Sequence, residues 1–248
     1  MLSALALDGL PDVRPGDDLG SLIVKAAPSD LSDSAVLVVA HKVVSKAEGR
    51  LRRLADVEPG ERARELAGTL DKDPRHVQVV LDESREVLRA ERGVMICITK
   101  HGFVCANAGV DASNAPDTDT LVLLPADPDR SARALRARIR ELAHAAPAIL
   151  IADSFGRAWR HGQIEVAIGC AGVRPLDDWR GRRDASGRVL GATWIAIADQ
   201  LAAAADLARR KDSRQPVVLI SGAEQFVGAD DGPGAAALLR PEQEDLFR

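Results

Sequence analysis

The chain has 248 residues, of which 46% are apolar and 28% are charged, a balance typical of a folded globular protein. This length allows one large domain or two closely packed ones without a need for disulfides, and we treat residues 1–248 as a single domain. The formal net charge of −4 argues against a nucleic-acid binder, which usually has a basic surface. Tyr is absent and only four Phe and three Trp occur, which argues against a base-stacking surface.

The cysteines and the N-terminus indicate the compartment. Cys97, Cys105 and Cys170 stand far apart among apolar residues, and without a CxxC pair they are interpreted as reduced core thiols. The N-terminus has no basic region and reaches an acid at Asp8, which does not fit a signal peptide. No apolar run approaches the roughly 20 residues of a membrane span. We therefore expect a soluble, cytoplasmic protein without a membrane partner.

Short apolar runs alternate with helical patterns along the chain. Buried strands are predicted at residues 35–40, 94–99, 121–124, 148–152 and 217–220. A first helix is predicted from Asp129, with Asp127 as its cap and Pro128 in its first turn. A second helix is predicted from Ile197 to about Ala208. These elements show no regular strand–helix–strand repeat, which favours an α+β fold with mixed sheets over a doubly wound fold.

Both predicted helices carry clustered cations. On the first helix they are Arg130, Arg133, Arg136, Arg138 and Arg140. This stripe could bind phosphate, although a solvated helix face explains it more simply. The second helix ends in Arg209, Arg210 and Lys211, where positive charge suits the negative end of the helix dipole.

Candidate chemistry lies in three polar clusters that follow apolar runs, because the common nucleotide and hydrolase motifs are missing. No GxxxxGK[ST], GxGxxG after a strand, HExxH or GxSxG sequence occurs. The first cluster follows the strand at 35–40 and contains His41, Lys42, Ser45 and Lys46. Lysine ammonium groups can meet phosphate oxygens, but lysines after a strand are commonly surface residues.

The second cluster surrounds a single carboxylate. Asp111 is flanked by Asn107, Ser113 and Asn114. Such oxygen ligands suit Mg²⁺, which typically takes one or two carboxylates together with substrate phosphates. An Asx turn, in which Asp111 and Asn114 satisfy backbone groups, explains the same residues without a ligand.

The third cluster follows the run at 148–152. Asp153 and Ser154 come first, and Arg157 and Arg160 follow them. An acid at the end of a buried strand commonly faces a ligand crevice, and arginine can bind phosphate or carboxylate with two hydrogen bonds. An Asp–Arg pair that fixes the loop is the structural alternative. Taken together, the acids, arginines and lysines favour phosphate chemistry assisted by Mg²⁺.

These clusters resemble the coenzyme F-420 gamma-glutamyl ligase (CofE-like) family. Residues 41–49 look like its KxVSKxEG signature, residues 106–114 look like NAG[IV]DxSN, and residues 153–163 look like DT[FM]GRxWRxGQ. The resemblance spans nearly the whole chain. It implies an α+β fold of two intertwined subdomains, a homodimer, GTP-dependent amide-bond formation with two divalent cations (Mn²⁺ or Mg²⁺), and stimulation by K⁺.

The resemblance also implies roles for individual residues. Asp111, Asp153 and Ser154 match metal ligands of the family, with Ser154 standing where most members have threonine. The positions that match GTP contacts are Leu10, Pro11, Asp12, Val13, His41, Lys42, Lys46 and Asn114. Arg157 and Arg160 are the predicted catalytic residues, which would stabilise charge on the reacting groups.

Two stretches depart from the archaeal pattern of the family. Arg209 to Asp212 replace a Gly-Gln pair that contacts GTP and the second metal, and Ser221-Gly222 replace Arg-Gly. We interpret the chain as a bacterial variant in which Arg210 and Lys211 contact the nucleotide. The second metal site and the choice of substrate are therefore open.

The implied reaction joins L-glutamate to a phosphorylated deazaflavin precursor, coenzyme F-420-0. GTP would convert the carboxylate of the precursor to an acyl phosphate, which the glutamate amine then attacks. Three alternatives stay open at this point: a GTP-dependent ligase acting on another phosphorylated acid, a metal-dependent phosphohydrolase, and a nucleotide-binding module without catalytic activity.

Overall fold

The computed structural model describes residues 1–113 and 115–246. Strands β1–β12 span Ser3–Ala6, Val36–Ala40, Leu51–Arg53, Ser84–Glu91, Val94–Thr99, Val104–Ala106, Thr120–Val122, Ala148–Arg157, Arg160–Ala171, Leu176–Asp178, Trp194–Ala196 and Val217–Ser221. Helices α1–α6 span Leu19–Ala26, His41–Ala47, Glu61–Leu70, Pro74–Glu83, Pro128–Ala143 and Ile197–Ala208. The sheets are mixed or antiparallel, so the predicted α+β class is confirmed.

The largest sheet has five strands in the order β1-β12-β2-β8-β9. Strands β2 and β8 are parallel, with Val36 opposite Ala148 and Ala40 opposite Ala152, and the other neighbours are antiparallel. Because β2 and β8 are parallel and Ala40 pairs with Ala152, the end of β2 lies beside the middle of β8. The polar residues that follow Ala40 and Ala152 therefore lie close together.

Helices cover both faces of this sheet. Leu37, Val39 and Ile149 belong to a core with residues of α1 and α5, whereas Val36 and Leu150 belong to a core with residues of α6. This alternation follows from the two-residue period of a strand, and it makes both faces of β2 and β8 apolar. The helix caps predicted for α5 are confirmed, because the Asp127 side chain accepts a hydrogen bond from the backbone of Arg130 with Pro128 in the first turn.

The strand predicted at 148–152 continues further than expected. Strand β8 runs on through Asp153 to Arg157 and returns as β9 in a hairpin. The outer part of this hairpin is exposed, so it lacks the apolar alternation that identifies a strand in a sequence. Asp153 thus lies within the strand rather than at its end.

The chain between β2 and β8 builds a second layer. Here α3 and α4 pack with β5 and neighbouring turns around Val77, Val80, Met95 and Cys97, and β4-β5-β6 form an antiparallel sheet. Strand β7 pairs with β3 and is shorter than the strand predicted at 121–124. Asp111 belongs to this layer, because it forms a bridge with Val122 of β7.

The arginine stripe of α5 is not uniformly solvated. Arg136 is buried and donates hydrogen bonds to the carbonyl oxygens of Gly228 (2.7 Å) and Asp230 (2.8 Å), so it is neither a solvated residue nor a phosphate ligand. Arg138 pairs with Asp18 at the surface. Arg136 fixes a late loop on the sheet, and its donors are already engaged there.

The three cysteines are free and buried, as predicted. Burial raises the pKa of Cys105 and of Cys170 to about 12, which keeps both thiols protonated and unreactive. Across the part of the chain that the structure describes, no helix is long and apolar enough to cross a membrane.

Candidate functional site

A cavity of about 860 Å³ opens beside the end of β2, the middle of β8 and the end of α6. Its lining includes most of the residues that the sequence predicted for nucleotide and metal. They are Leu10, Pro11, Asp12, Val13, His41, Lys42, Lys46, Asp111, Asp153, Ser154, Arg210 and Lys211. Asn114 lies outside the described residues.

Helix α2 brings the first cluster into this cavity. The chain passes directly from β2 into α2, and the backbone N–H of Ala40 is held by the carbonyl oxygen of Pro216 at 2.8 Å. Lys42 and Lys46 are four residues apart and therefore share one face of the helix. Burial lowers the pKa of Lys46, an effect that Asp12 opposes and Lys42 reinforces.

A tight turn delivers Asp111 to the same cavity. The turn over Asn107–Gly109 places Gly109 at a φ of +72°, and a Cβ there would lie 2.7 Å from Cγ of Leu124. Asp111 then forms a two-bond bridge with Val122 at 2.8 and 3.0 Å. The asparagine and glycine of this motif thus shape the backbone, and the carboxylate is what reaches the cavity.

Asp111 faces a lysine on one side and its own turn on the other. Lys42 Nζ lies 2.7 Å from Oδ2 and donates to Ser113 Oγ at 2.6 Å, while the backbone N–H of Ser113 donates to Oδ1 at 2.6 Å. An Asx turn is therefore present at Asp111, made with the backbone of Ser113, while the part considered for Asn114 lies outside the described residues. Burial tends to raise the pKa of Asp111, but Lys42 and Ser113 outweigh it and hold the pKa below its ordinary value.

Asp153 has a histidine partner rather than an arginine. His41 is buried, and its Nε2 lies 3.2 Å from Oδ1 of Asp153, which also accepts the backbone N–H of Ser154 at 2.7 Å. The Asp–Arg pair considered as a structural alternative does not form. Oδ2 of Asp153 takes no part in these contacts.

Glu165 and Arg209 are among the residues of the cavity wall that sequence reasoning missed. Glu165 lies opposite Ser154 in the β8–β9 hairpin and is only 4% exposed. Its Oε1 accepts a hydrogen bond from the Ser154 hydroxyl at 2.5 Å. Arg209 Nη2 approaches the other carboxylate oxygen at 3.3 Å. The signal in the sequence was the two-residue period of β9, which puts Glu165 on the same face as Gln163 of the third motif.

Lys211 reaches back to the same hydroxyl. Its ammonium donates a hydrogen bond to Ser154 Oγ and lies 3.9 Å from Glu165. The helix-dipole interpretation does not account for Arg209 or Lys211, because both side chains contact the cavity wall. Ser221, the second departure from the archaeal pattern, stands at the far end of β12 and does not line the cavity.

Arg157 and Arg160 are not brought into the cavity. Both are exposed near the tip of the β8–β9 hairpin, where Arg157 Nη2 donates to the carbonyl oxygen of His161 at 2.6 Å. The tip lies only a few residues along the strands from Asp153 and Gln163. The catalytic role of the two arginines stays a prediction.

Comparison with known proteins identifies the family. The family model described as F420-0:gamma-glutamyl ligase matches residues 9–222, which is most of the chain. The chain belongs to this family. The resemblance found in the three polar clusters is thereby confirmed.

Several curated relatives match over their whole length. A protein named coenzyme F420:L-glutamate ligase from Methanopyrus kandleri is 44% identical over 252 residues, covering 100% of this chain and 99% of that protein. Proteins of the same name from Methanothermobacter thermautotrophicus (40% identical, 99% covered) and Haloarcula marismortui (42% identical, 96% covered) also match 100% of this chain. These relatives are archaeal.

The cavity contains carboxylate and hydroxyl oxygens, the donor types that hard cations prefer. Among the described residues, no group of three or more His, Cys, Asp or Glu side chains could hold a metal ion. Asp111, Asp153 and Ser154 nevertheless supply hard oxygen ligands in one cavity. Mg²⁺ commonly takes one or two carboxylates and completes its coordination with water and substrate phosphates. The residues therefore fit a cation that arrives with a phosphate-bearing ligand.

Proposed function

We propose that this protein is a GTP-dependent ligase that joins L-glutamate to the carboxylate of a phosphorylated deazaflavin precursor, coenzyme F-420-0. The observation that carries the proposal is one cavity in which lysines and oxygen ligands face each other, in a chain whose relatives are named for this activity. Its volume of about 860 Å³ is within the range of nucleotide-sized sites.

The charged residues of the cavity can bind a nucleotide by exchanging their ion-pair partners. Without ligand, Lys42 is neutralised by Asp111, and Lys211 lies against the Ser154–Glu165 pair. A triphosphate that enters with a cation offers a new partner to each side: phosphate oxygens for Lys42, Lys46 and Lys211, and the cation for Asp111 and Asp153. The charges stay paired throughout, which lowers the cost of desolvating the ligand.

Asp111, Asp153 and Ser154 would hold the divalent cation, Mn²⁺ or Mg²⁺. When bound, this cation neutralises charge on the phosphate oxygens and so assists phosphoryl transfer. The remaining contributions come from the chain. The backbone N–H of Ser154 orients Asp153, beside which His41 Nε2 lies at 3.2 Å, and the backbone N–H of Ser113 orients Asp111. Leu10 to Val13 form the wall against which the nucleoside lies.

The proposed reaction has two steps. A carboxylate oxygen of the precursor attacks the γ-phosphorus of GTP, which forms an acyl phosphate and releases GDP. The amine of L-glutamate then attacks the acyl carbon, loses a proton to solvent, and expels inorganic phosphate. Lys42, Lys46 and Lys211 stabilise charge on the transferred phosphoryl group, and Arg157 and Arg160 at the hairpin bind anionic groups of the precursor outside the cavity.

Mass spectrometry of the precursor tests this function. The purified chain is incubated with coenzyme F-420-0, GTP, Mn²⁺ and L-glutamate, with matched reactions that omit glutamate or replace GTP by ATP. We expect a glutamylated product only in the complete GTP reaction. Phosphate release without glutamate would indicate a hydrolase, and no phosphate release would indicate a binding module. Glutamate-dependent turnover that requires a different acid would redefine the substrate.

The resemblance extends the proposal to K⁺ and to the assembly. Turnover is expected to be higher in K⁺ than in Na⁺ at equal ionic strength, and light scattering is expected to give the mass of a homodimer. The number of glutamates added follows from the same mass spectra.

A further inference from the structure

Glu165 is a buried acid to which the family resemblance gives no role. It is 4% exposed, it lines the cavity, and its Oε2 makes no hydrogen bond within the described residues. The same oxygen lies 3.3 Å from Arg209 Nη2, so the buried charge is paired there, while the other oxygen, Oε1, accepts a hydrogen bond from Ser154 in the cavity wall. Its partner across the hairpin is Ser154, a predicted cation ligand.

The direction of each hydrogen bond in this cluster follows from chemistry. An ammonium group has donors and no acceptor, so Ser154 Oγ must accept the hydrogen bond from Lys211. The single hydroxyl proton of Ser154 is therefore free to go elsewhere, and it points to Glu165 Oε1 at 2.5 Å. As a result, the lone pairs of Ser154 face the cavity and are directed toward a cation.

We propose that Glu165 is a positioning residue that fixes the Ser154 hydroxyl as a cation ligand. In the ligand-free chain the cation is the ammonium of Lys211. When the nucleotide is bound, it is a divalent cation on the phosphates. Arg209 maintains the arrangement, because its Nη2 lies 3.3 Å from Glu165 Oε2 while its Nη1 donates to the carbonyl oxygen of Pro216 at 3.0 Å. This inference rests on the proposed function and adds a residue that controls cation binding.

A purely structural role is the competing explanation. Glu165 and Arg209 have side chains only 5% and 8% exposed, and their contact joins β9 to the end of α6. In that case removing the carboxylate would reduce stability and leave cation affinity unchanged. Measurements of cation binding and of unfolding separate the two explanations.

Glu165→Gln tests this positioning role because it should turn the hydroxyl proton of Ser154 away from residue 165 and into the cavity. The amide has one acceptor and one donor end, and Arg209 can only donate, so the amide oxygen turns to Arg209 and the NH₂ group turns to Ser154. Ser154 must then accept a hydrogen bond from this NH₂ group and direct its own proton into the cavity. We expect Mn²⁺ binding in the presence of GDP, measured by electron paramagnetic resonance, to weaken about tenfold, the lower end of the effect of second-sphere carboxylates.

Three further variants make the test specific. Ser154→Ala should weaken Mn²⁺ binding by a similar factor, and the double variant should be no weaker than Ser154→Ala alone. Asp199→Asn is the control, because Asp199 is a partly buried acid that supports the same strand, β9, by accepting a hydrogen bond from the backbone N–H of Ala167 at 2.9 Å. It should leave Mn²⁺ affinity unchanged. Glu165→Asp keeps a charge beside Arg209, is expected to fold, and should weaken Mn²⁺ binding because its carboxylate is withdrawn from Ser154.

The outcomes distinguish this inference from the proposed function. If wild-type protein binds Mn²⁺ with GDP and both Glu165 variants bind it equally well, Glu165 has only a structural role. If the losses from Glu165→Gln and Ser154→Ala are additive, the two residues act independently and the inference is wrong. If wild-type protein binds no Mn²⁺ with GDP, the proposed function fails together with it.

Discussion

Two acids of the cavity, Asp111 and Glu165, differ in how firmly their charges are held by neighbouring cations. Asp111 has a side chain that is 38% exposed and is paired with Lys42, a flexible residue whose ammonium can move to another anion. Glu165 is 5% exposed and is paired with Arg209, which is itself buried and anchored on Pro216. The exposed pair can exchange partners when a nucleotide and a cation enter, whereas the buried pair cannot. We therefore expect the Asp111–Lys42 pair to bind the incoming ligands and the Glu165–Arg209 pair to hold Ser154 in position.

The largest expected effect comes from breaking the buried pair. Glu165→Ala leaves the Arg209 guanidinium without its buried carboxylate partner, and removing one partner of a buried ion pair typically costs about 3–5 kcal/mol. We expect a clear fall in the free energy of unfolding, measured with urea. Asp111→Ala is the matched comparison and should cost much less. Equal losses in the free energy of unfolding of the two variants would contradict the distinction between the buried pair and the exposed pair.

Removal of either predicted metal-ligand carboxylate should abolish most of the activity. Asp111→Asn and Asp153→Asn keep the shape of the side chain but remove the charge that a divalent cation requires. Turnover with GTP, Mn²⁺ and glutamate is expected to fall by roughly 100-fold or more, exceeding the loss typical of second-sphere partners. Thermal unfolding of the ligand-free variants serves as the control and should change little. Full activity in both single variants would exclude the assignment.

Lys211→Gln should have a smaller effect with opposite signs for cation and nucleotide. The ammonium of Lys211 occupies the cavity-facing side of Ser154, and a fixed positive charge repels a nearby divalent ion by about a few kcal/mol at short range. We expect the variant to bind a second Mn²⁺ more tightly and to bind GTP more weakly in metal-poor buffer. Titration calorimetry would measure both affinities. The same metal stoichiometry and GTP affinity as in wild type would show that the contact with Ser154 has no function.

The smallest effect is expected at Asp199, which supports the same strand as Glu165 through a backbone N–H. Burial raises the pKa of Asp199, although the hydrogen bond from Ala167 opposes this. A raised pKa means that the folded state binds the proton more tightly, so wild type loses stability as the pH rises from about 3.8 through the folded pKa. Asp199→Asn should remove this pH dependence, which urea unfolding across the acidic range would measure. The free energy of unfolding of the variant should lie within about 1 kcal/mol of the wild-type value. A large loss at neutral pH would show that the charge itself is needed.

The sequence predicted the proposed cation ligands better than it predicted the Glu165–Arg209 pair. Asp111, Asp153 and Ser154 follow apolar runs within recognisable motifs, and the parallel pairing of β2 with β8 places two of the three clusters together. Glu165 could not be identified in this way, because its partner Ser154 is set by the register of a hairpin whose outer part carries no apolar pattern. Arg209 looked like an ordinary helix-end cation, since only the three-dimensional structure shows its contact with Glu165 of β9. For Lys211 the resemblance predicted a nucleotide contact, but its contact with Ser154 of β8 also appears only in the structure.

The most direct test of the ligase assignment follows the oxygen that accepts the γ-phosphoryl group. The precursor is labelled with heavy oxygen in its carboxylate and incubated with GTP, Mn²⁺ and L-glutamate, and the released phosphate is analysed by mass spectrometry. The acyl phosphate route predicts one labelled oxygen in each phosphate released, in equal amount to the amide product. Phosphate that carries oxygen from the solvent water and no label would show that water is the acceptor, and it would contradict the assignment as a ligase.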